Sequence, residues 1–172
     1  MTIVLVGAPG AGKTTHGRLL AQRLGVDFVD VDELIEDVSA KPIREIFADH
    51  GEAHFRALER EHTLAALEGG GVVALGGGAV TSPEIRAALA GHDVIWLRVS
   101  VVQATRRVGM TGLRPLLLGD VRERLSALLT EREPLYAGVA TFLVDTDKLS
   151  PRAVVDEILR RMGEADEPGD QG

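Results

Sequence analysis

A glycine-rich segment near the start of the chain limits the possible folds more than any other feature. Residues 7–14 read GAPGAGKT, and they follow an apolar run and precede a stretch with helical periodicity. In this context Gly7 and Gly12 permit a tight turn that points backbone N–H groups at phosphates. Lys13 adds a cation, and the hydroxyl of Thr14 suits a magnesium ion. The segment therefore predicts a phosphate-binding loop and a nucleoside triphosphate ligand.

Composition narrows the class of protein further. The 172 residues suit one domain that buries about 70% of its unfolded surface. The absence of cysteine excludes a disulfide scaffold and a cysteine zinc site, and it fits a reducing compartment. Since no leader-like or long apolar segment is found, we expect a soluble, cytoplasmic protein without a membrane partner. The net charge of −7 argues against a nucleic-acid partner, and we expect a monomer.

Short apolar runs alternate with segments of helical periodicity along the chain. We predict strands at residues 3–6, 27–29, 72–75, 94–97 and 142–144. Runs that are apolar on both faces are typical of strands buried in parallel sheets. Because no linker or repeat interrupts the alternation, the pattern predicts a single α/β domain over residues 1–162.

Two segments stand apart from this pattern. Residues 109–120 contain three glycines, a proline and a central arginine, Arg114, and we predict that they form a lid. A plain connection between two helices is the alternative. The final residues, 163–172, combine acidic residues with glycine and proline and have no periodicity, so we expect them to be disordered.

Two aspartates follow the second predicted strand. Asp30 and Asp32 are two residues apart, so their carboxylates point the same way if the extended conformation persists. The carboxyl ends of parallel strands face the ligand crevice. One carboxylate could therefore join a Mg²⁺ shell while the other binds or deprotonates a substrate hydroxyl. The alternative is that Asp32 caps the following helix.

Three consecutive glycines, Gly76, Gly77 and Gly78, end the third predicted strand. Such a run costs backbone entropy unless the site needs a special conformation or a close approach. At the carboxyl end of a strand it could direct amide N–H groups at a bound oxygen ligand. A flexible turn between strand and helix is the alternative.

Two arginines are candidates for gripping a carboxylate. Arg56 and Glu59 have the i,i+3 spacing of a helical pair, which could hold the guanidinium in place, although such pairs occur on many exposed helices. Arg132 precedes Pro134, which we expect to close a helix, and a cation near a helix C-terminus is favourable in any case. The histidines form no recognisable catalytic or zinc pattern, and we interpret all five as structural or solvated: His16, His50, His54, His62 and His92.

Taken together, these motifs resemble the shikimate kinase family in order and spacing over about residues 2–162. The motifs that carry the resemblance are residues 7–14, Asp30-x-Asp32, Gly51-Glu52-x-x-Phe55-Arg56-x-x-Glu59, Gly76–Gly78, Arg114-Pro115-Leu116-Leu117 and Arg132-x-Pro134-Leu135-Tyr136. The resemblance implies a three-layer αβα sandwich, the nucleoside-monophosphate-kinase-like P-loop fold. Its five-stranded parallel sheet would have the order 2-3-1-4-5, with a substrate-binding region at about 31–60 and a lid at 109–120.

The same resemblance implies ATP-dependent phosphorylation of the shikimate 3-hydroxyl, giving shikimate 3-phosphate and ADP for aromatic amino-acid biosynthesis. The implied catalytic residues are Lys13, Asp32 and Arg114. The implied ATP-binding residues are Gly10, Ala11, Gly12, Lys13, Thr14, Thr15, Arg107, Arg114 and Pro151. The implied shikimate-binding residues are Asp32, Phe47, Phe55, Arg56, Glu59, Gly76, Gly77, Gly78 and Arg132, with Ile43 packed nearby. Mg²⁺ would be held by Thr14 and Asp30.

Two other functions are compatible with part of this pattern. A gluconate kinase would share the fold and the phosphate-binding loop, but the paired arginines together with Gly76 to Gly78 argue against it. A nucleotide-binding module without catalytic activity is the second alternative. Retention of Lys13, Asp30, Asp32 and Arg114 argues against it.

Overall fold

The structure is a computed structural model that describes residues 1–109 and 118–166 of the chain. Five strands lie in one sheet: β1 Thr2–Val6, β2 Phe28–Asp30, β3 Gly71–Ala74, β4 Asp93–Arg98 and β5 Phe142–Asp145. The helices are α1 Lys13–Leu24, α2 Val31–Ser39, α3 Ile43–His50, α4 Glu52–Glu68, α5 Pro83–Ala88, α6 Val101–Gly109, α7 Leu118–Val139 and α8 Pro151–Asp166, with a 3₁₀ turn at Ala79–Thr81.

The sheet confirms the predicted topology. All strand pairs are parallel, and the strands lie in the order β2-β3-β1-β4-β5. Strand β1 is central: Leu5 is in register with Ala74 of β3 on one side and with Ile95 of β4 on the other. The carboxyl ends of β1, β2 and β3 therefore meet at one edge of the sheet, as the position of the proposed ligand crevice requires.

Two apolar clusters cover the two faces of the sheet and make the fold a three-layer αβα sandwich. Neighbouring residues of β1 point to opposite faces, so Leu5 belongs to one cluster and Val4 to the other. The first cluster includes Leu20 of α1 and Ile158 of α8. The second includes Tyr136 of α7 and the apolar faces of α2 to α5. The sheet is consequently buried on both faces, which explains why its strands have no polar alternation.

The structure corrects the prediction that Pro134 closes a helix. Helix α7 runs from Leu118 through Pro134 to Val139. A proline inside a helix costs about 3 kcal/mol, because it removes one backbone hydrogen bond and crowds the preceding turn. The fully buried side chain of Tyr136, two residues later, offsets part of that cost by packing in the second apolar cluster. The helix therefore continues where local propensity predicts an end.

Element ends differ from the prediction in two other places. Strand β2 includes Asp30, which pairs with Ala74, whereas the predicted strand ended at residue 29. Helix α8 continues to Asp166, so residues 163–166 are helical and the prediction that they are disordered was wrong. Most of the predicted lid, residues 110–117 with Arg114, and the last part of the predicted tail, residues 167–172, lie outside the described residues. Within the described ranges, no helix is both long enough and apolar enough to span a membrane.

Candidate active site

The glycine-rich segment forms a loop between β1 and α1, and its glycines are required by the backbone. A Cβ atom on Gly7 would lie 2.5 Å from the carbonyl oxygen of Leu97, which no real side chain could accept. Gly12 caps the N-terminus of α1 in the left-handed conformation, with φ 81°. The free N–H groups at the start of α1 and the positive end of its dipole therefore open into the loop, which makes it an anion-binding site.

Backbone carbonyl groups of the loop hold the side chain of Lys13 in place. Its Nζ atom donates to the carbonyl oxygens of Gly7 at 2.7 Å and Ala8 at 3.0 Å. Burial disfavours the ammonium and lowers the pKa of Lys13 to about 8, although the charges of Asp32 and Asp30 act in the opposite direction. The cation is thus placed where phosphate oxygens can replace the loop carbonyls as its partners.

Asp30 performs two tasks at the end of β2. Its Oδ2 atom accepts a hydrogen bond from the hydroxyl of Thr14. Its Oδ1 atom accepts a hydrogen bond of 3.0 Å from the backbone N–H of Glu33, so that Asp30 is the N-cap of α2. A hydroxyl and a carboxylate side by side are hard oxygen donors of the kind that Mg²⁺ prefers, and the pair fits a Mg²⁺ site.

Asp32 reaches the site by a different geometry from the one we predicted. The chain turns into α2 at Val31, so Asp32 lies in the first helical turn and the proposed extended alignment with Asp30 was wrong. The alternative that Asp32 caps the helix is also wrong, since Asp30 does so. Both carboxylates nevertheless line one cavity of about 480 Å³ together with Lys13 and Thr14.

The carboxylate of Asp32 is partly buried and has a raised pKa. Its Oδ1 atom is buried and has no hydrogen-bond partner among the described residues. Burial and the neighbouring carboxylates of Asp30 and Glu59 raise the pKa of Asp32 to about 6, although the charge of Lys13 acts in the opposite direction. Asp32 is therefore mostly ionised at neutral pH and accepts a proton more readily than an ordinary aspartate.

Arg56 is held in place by an acidic partner on its own helix. Its Nη1 atom lies 2.7 Å from Oε1 of Glu59 in α4, the i,i+3 pair that the sequence suggested. Glu59 is only 2% exposed, and a second acid, Glu52, lies 3.6 Å from Nε of Arg56. A buried carboxylate thus fixes one edge of the guanidinium, which restricts the orientations of the rest of the group.

Gly76–Gly78 form a wall of bare backbone, which we call the glycine wall. A Cβ atom on the first glycine would lie 2.7 Å from Oδ1 of Asp32 and 2.8 Å from Oε2 of Glu59. One on the third glycine would lie 2.6 Å from Nη1 of Arg56. None of the three glycines has a left-handed φ. Close approach to functional side chains, and not unusual backbone geometry, therefore explains why glycine is needed here.

The middle of the glycine wall adjoins both the phosphate-binding loop and α7. A Cβ atom on Gly77 would lie 3.0 Å from Cδ of Pro9 and 3.5 Å from Nη1 of Arg132. The Nε atom of Arg132 is buried and has no hydrogen-bond partner within the part of the chain that the structure describes. Arg132 and Arg56 thus come from α7 and α4 to the same short stretch of backbone, although 76 positions separate them in the sequence.

Apolar side chains adjoin the arginines. The rings of Phe47 and Phe55 are 4.8 Å apart, and the guanidinium carbon of Arg56 lies 5.4 Å from the centre of the Phe55 ring. Ile43 and Phe47 are partly buried and pack against the second apolar cluster, which contains Phe55. These residues supply a nonpolar surface next to the charged groups.

Four of the predicted ATP-binding residues line a second cavity of about 210 Å³. Gly12, Thr15, Arg107 and Pro151 line it, and Nη1 of Arg107 donates to the carbonyl of Gly10 at 2.8 Å. Two further residues, His16 and Leu149, also line this cavity, and neither was among the predicted site residues.

His16 belongs to this second cavity because of its place in α1. It is 5% exposed, and the Cε1 atom of its ring lies 2.6 Å from the position that a Cβ atom on Gly12 would occupy. Burial lowers its pKa, and the charge of Arg107 lowers it further, so the imidazole is neutral. Its position one helical turn after Gly12 is the sequence signal that could have placed it here.

Comparisons with known proteins identify one family. The sequence model of the family described as shikimate kinase matches residues 9–163. The shikimate kinase of Mycobacterium avium (strain 104) is 52% identical over 165 residues, which cover 95% of this chain and 94% of that protein. The shikimate kinase of Thermobifida fusca (strain YX) is 51% identical over 160 residues, 92% of this chain and 93% of that protein.

Solved structures give the same result. The shikimate kinase from Acinetobacter baumannii in complex with shikimate is similar with a TM-score of 0.90 and 35% identity, over 97% of this chain and 95% of that one. The shikimate kinase from Bacteroides thetaiotaomicron is similar with a TM-score of 0.83 and 30% identity, over 96% and 97% of the two chains. The likeness therefore extends over nearly the whole chain.

Proposed function

The chain belongs to the shikimate kinase family, and from that premise we propose how its residues divide the reaction among them. The enzyme transfers a phosphoryl group from ATP to the 3-hydroxyl of shikimate, giving shikimate 3-phosphate and ADP on the pathway to chorismate and the aromatic amino acids. Phosphoryl transfer needs positioning and charge stabilisation more than covalent catalysis. The assignments below follow these two needs.

The phosphate-binding loop takes the triphosphate of ATP. The N–H groups at the start of α1 bind the phosphate oxygens, and Lys13 exchanges its two loop carbonyls for those oxygens. Thr15, Arg107 and Pro151 border the adenine nucleoside in the second cavity. A phosphate-bound ammonium remains charged, so we expect nucleotide binding to raise the pKa of Lys13 from its value of about 8 in the free protein.

Thr14 and Asp30 would hold Mg²⁺. Their oxygens are adjacent, and Asp30 is anchored as the N-cap of α2, so the two donors are positioned before the metal arrives. A bound Mg²⁺ supplies a positive charge that neutralises the phosphate oxygens during transfer.

The carboxylate of shikimate would lie between Arg56 and Arg132. Both guanidinium groups adjoin the glycine wall, and each can form two parallel hydrogen bonds with a carboxylate. The buried Nε of Arg132, which has no hydrogen-bond partner among the described residues, is the kind of donor that such a ligand would satisfy. Phe47 and Phe55 would pack against the carbocyclic ring.

Asp32 would orient the attacking hydroxyl and accept its proton. The single observation that carries this assignment is the buried, unpartnered Oδ1 atom of Asp32 in the cavity that also contains Lys13 and Thr14. A carboxylate with a pKa of about 6 is ionised before the reaction and can still take up a proton during it. The hydroxyl would thus be placed beside both the base and the phosphate-binding loop.

We propose that Arg114, on the predicted lid at residues 109–120, adds a further positive charge to the phosphates when the lid closes. Closure would exclude water, so that ATP reacts with shikimate and is not hydrolysed. Support for this role comes from the sequence motif Arg114-Pro115-Leu116-Leu117 and its place in the resemblance.

The decisive experiment measures ADP release from Mg·ATP with shikimate, with gluconate or with no acceptor. We expect ADP release with shikimate, and none with gluconate or without an acceptor. Turnover with gluconate would contradict the assignment of Arg56 and Arg132 to a carboxylate on a cyclic substrate, and no turnover with either acceptor would favour a nucleotide-binding module. We also propose that the protein is a cytoplasmic monomer without nucleic-acid or membrane partners, and sedimentation velocity tests the monomeric state.

A further inference from the structure

Tyr136 has a buried hydroxyl group that the proposed mechanism does not use. The side chain is 0% exposed, yet its Oη atom lies 2.6 Å from the carbonyl oxygen of Gly77 and donates a hydrogen bond to it. Gly77 is the middle residue of the glycine wall. Burial raises the pKa of Tyr136 to about 12, so the hydroxyl keeps its proton, and can donate, throughout the physiological pH range.

The position of Tyr136 on α7 brings it next to a substrate arginine. Tyr136 follows Arg132 by four residues, so the two side chains lie on the same face of the helix one turn apart. The two groups meet at Gly77, because Nη1 of Arg132 lies 3.5 Å from the position of a Cβ atom on that residue and its carbonyl oxygen accepts the hydrogen bond of Tyr136. Its ring also packs against Trp96 of β4, with ring centres 5.8 Å apart. The tyrosine is therefore anchored to the sheet while its hydroxyl reaches the wall.

From these contacts we infer that Tyr136 is a positioning residue for the carboxylate subsite, holding the glycine wall at a fixed distance from Arg132. The wall has no side chains of its own, so its location depends on contacts made by its backbone groups. On its other side it adjoins Pro9 of the phosphate-binding loop and the guanidinium of Arg56. The Tyr136 hydroxyl is the contact that ties this backbone to the helix carrying Arg132.

This inference rests on the proposed function, because it assigns the subsite to the shikimate carboxylate. A tyrosine that serves the core alone would contribute its ring and little else. Loss of its hydroxyl would then lower thermal stability without a selective effect on either substrate. A positioning role instead predicts a selective effect on shikimate, since the wall and Arg132 would no longer be held together.

The test is Tyr136→Phe, which removes the hydroxyl and keeps the ring. With both substrates varied, we expect the KM for shikimate to rise about tenfold while the KM for ATP stays within twofold and kcat within threefold. Trp96→Phe is the matched control, since it trims a buried aromatic that touches Tyr136 but makes no bond to the wall. We expect this control to lower the melting temperature and leave both KM values unchanged.

A substrate analogue identifies the group through which Tyr136 acts. With shikimate whose carboxylate is replaced by a carboxamide, wild type and Tyr136→Phe should have the same kcat/KM, because the charged contact to Arg132 is already lost. The inference would be overturned if Tyr136→Phe lost kcat/KM equally with shikimate and with the carboxamide analogue. It would also be overturned if the variant had the same KM for shikimate as wild type.

Backbone hydrogen exchange provides a readout that needs no turnover. In the free protein, Tyr136→Phe should accelerate exchange in the peptide that contains Gly76–Gly78 by about fivefold or more, while the strand β5 peptide exchanges as in wild type. Unchanged exchange at the wall would contradict the inference directly. Failure of wild type to phosphorylate shikimate would instead contradict the proposed function, and exchange would still decide whether Tyr136 holds the wall.

Discussion

The guanidinium of Arg56 occupies the space that a side chain at position 78 would need: its Nη1 atom lies 2.6 Å from the position of a Cβ atom on Gly78. Gly78→Ala should therefore displace the end of the Arg56 side chain and leave the fold intact. We expect the KM for shikimate to rise about tenfold or more, as befits a weakened charged contact, with the KM for ATP unchanged. Steady-state kinetics with each substrate varied checks this.

A second glycine provides the control for that substitution. Gly138 lies on the same helix as Arg132, and among the described residues no atom beyond its own stretch of helix backbone lies within 4 Å of a Cβ position. Gly138→Ala should leave both KM values unchanged and, because alanine favours helix, raise the free energy of unfolding by up to about 1 kcal/mol. Equal effects of the two substitutions on shikimate KM would show that the Arg56 contact is not responsible.

Replacement of the proposed base tests the chemistry. Asp32→Asn keeps the size of the side chain but cannot accept the hydroxyl proton. We expect turnover to fall by about 10²-fold or more while the Kd for ATP, measured by calorimetry, stays within a few fold. Turnover close to that of wild type would reduce Asp32 to a group that only contacts the substrate.

Although Asp32→Asn should lower turnover, it should raise the free energy of unfolding. The folded-state pKa of Asp32, about 6, lies above its usual value of 3.8, so the folded protein binds this proton more tightly than the unfolded chain. That stabilisation is fully present below pH 3.8 and is lost as the pH rises through 6. At pH 8 the buried carboxylate therefore costs about 2–3 kcal/mol, from about 1.4 kcal/mol per pKa unit.

Asp32→Asn removes this cost, so urea unfolding at pH 8 should show a more stable protein, with about half the gain at pH 5. The activity of wild type should have an acidic limb near pH 6, where Asp32 becomes protonated, and the variant should lack it. A gain in stability that does not depend on pH would indicate a cause other than the charge.

The metal assignment can be tested at Asp30 without loss of the helix cap. Asn and Asp are equally good N-caps, so Asp30→Asn should change the free energy of unfolding by less than about 1 kcal/mol. The weaker donor should raise the Mg²⁺ concentration needed for half-maximal activity by about tenfold. An unchanged requirement for Mg²⁺, measured at saturating ATP and shikimate, would remove Asp30 from the metal site.

The sequence was sufficient to predict the sheet and to single out most residues that the fold brings together in the candidate site, since both depend on local patterns. The buried runs and the loop at residues 7–14 carry strong signals that tertiary contacts do not override. The way in which Asp32 reaches the site was not predictable, because the turn into α2 occurs one residue after Asp30 and extended spacing no longer applies. Likewise, no local rule anticipates that α7 passes through Pro134, because the burial of Tyr136 is a tertiary contribution.

The reason for glycine at positions 76–78 also depends on the tertiary structure. Sequence reasoning left a special backbone conformation and close approach as equal explanations. Asp32, Glu59 and Arg56 come from two helices that lie far from position 76 in the sequence, so only the folded arrangement distinguishes the two explanations. His16 was overlooked for a similar reason, as its burial against Gly12 depends on the loop geometry.

The glycine wall has a practical consequence for inhibition and resistance. Resistance to an inhibitor commonly arises from a change in a side chain that touches it, but this surface consists of backbone. Every substitution at Gly76 or Gly78 adds a Cβ atom within 3 Å of a group assigned to shikimate binding or catalysis, or to holding such a group in place. A compound whose affinity comes from hydrogen bonds to this backbone would therefore leave the target few mutations that preserve its own activity.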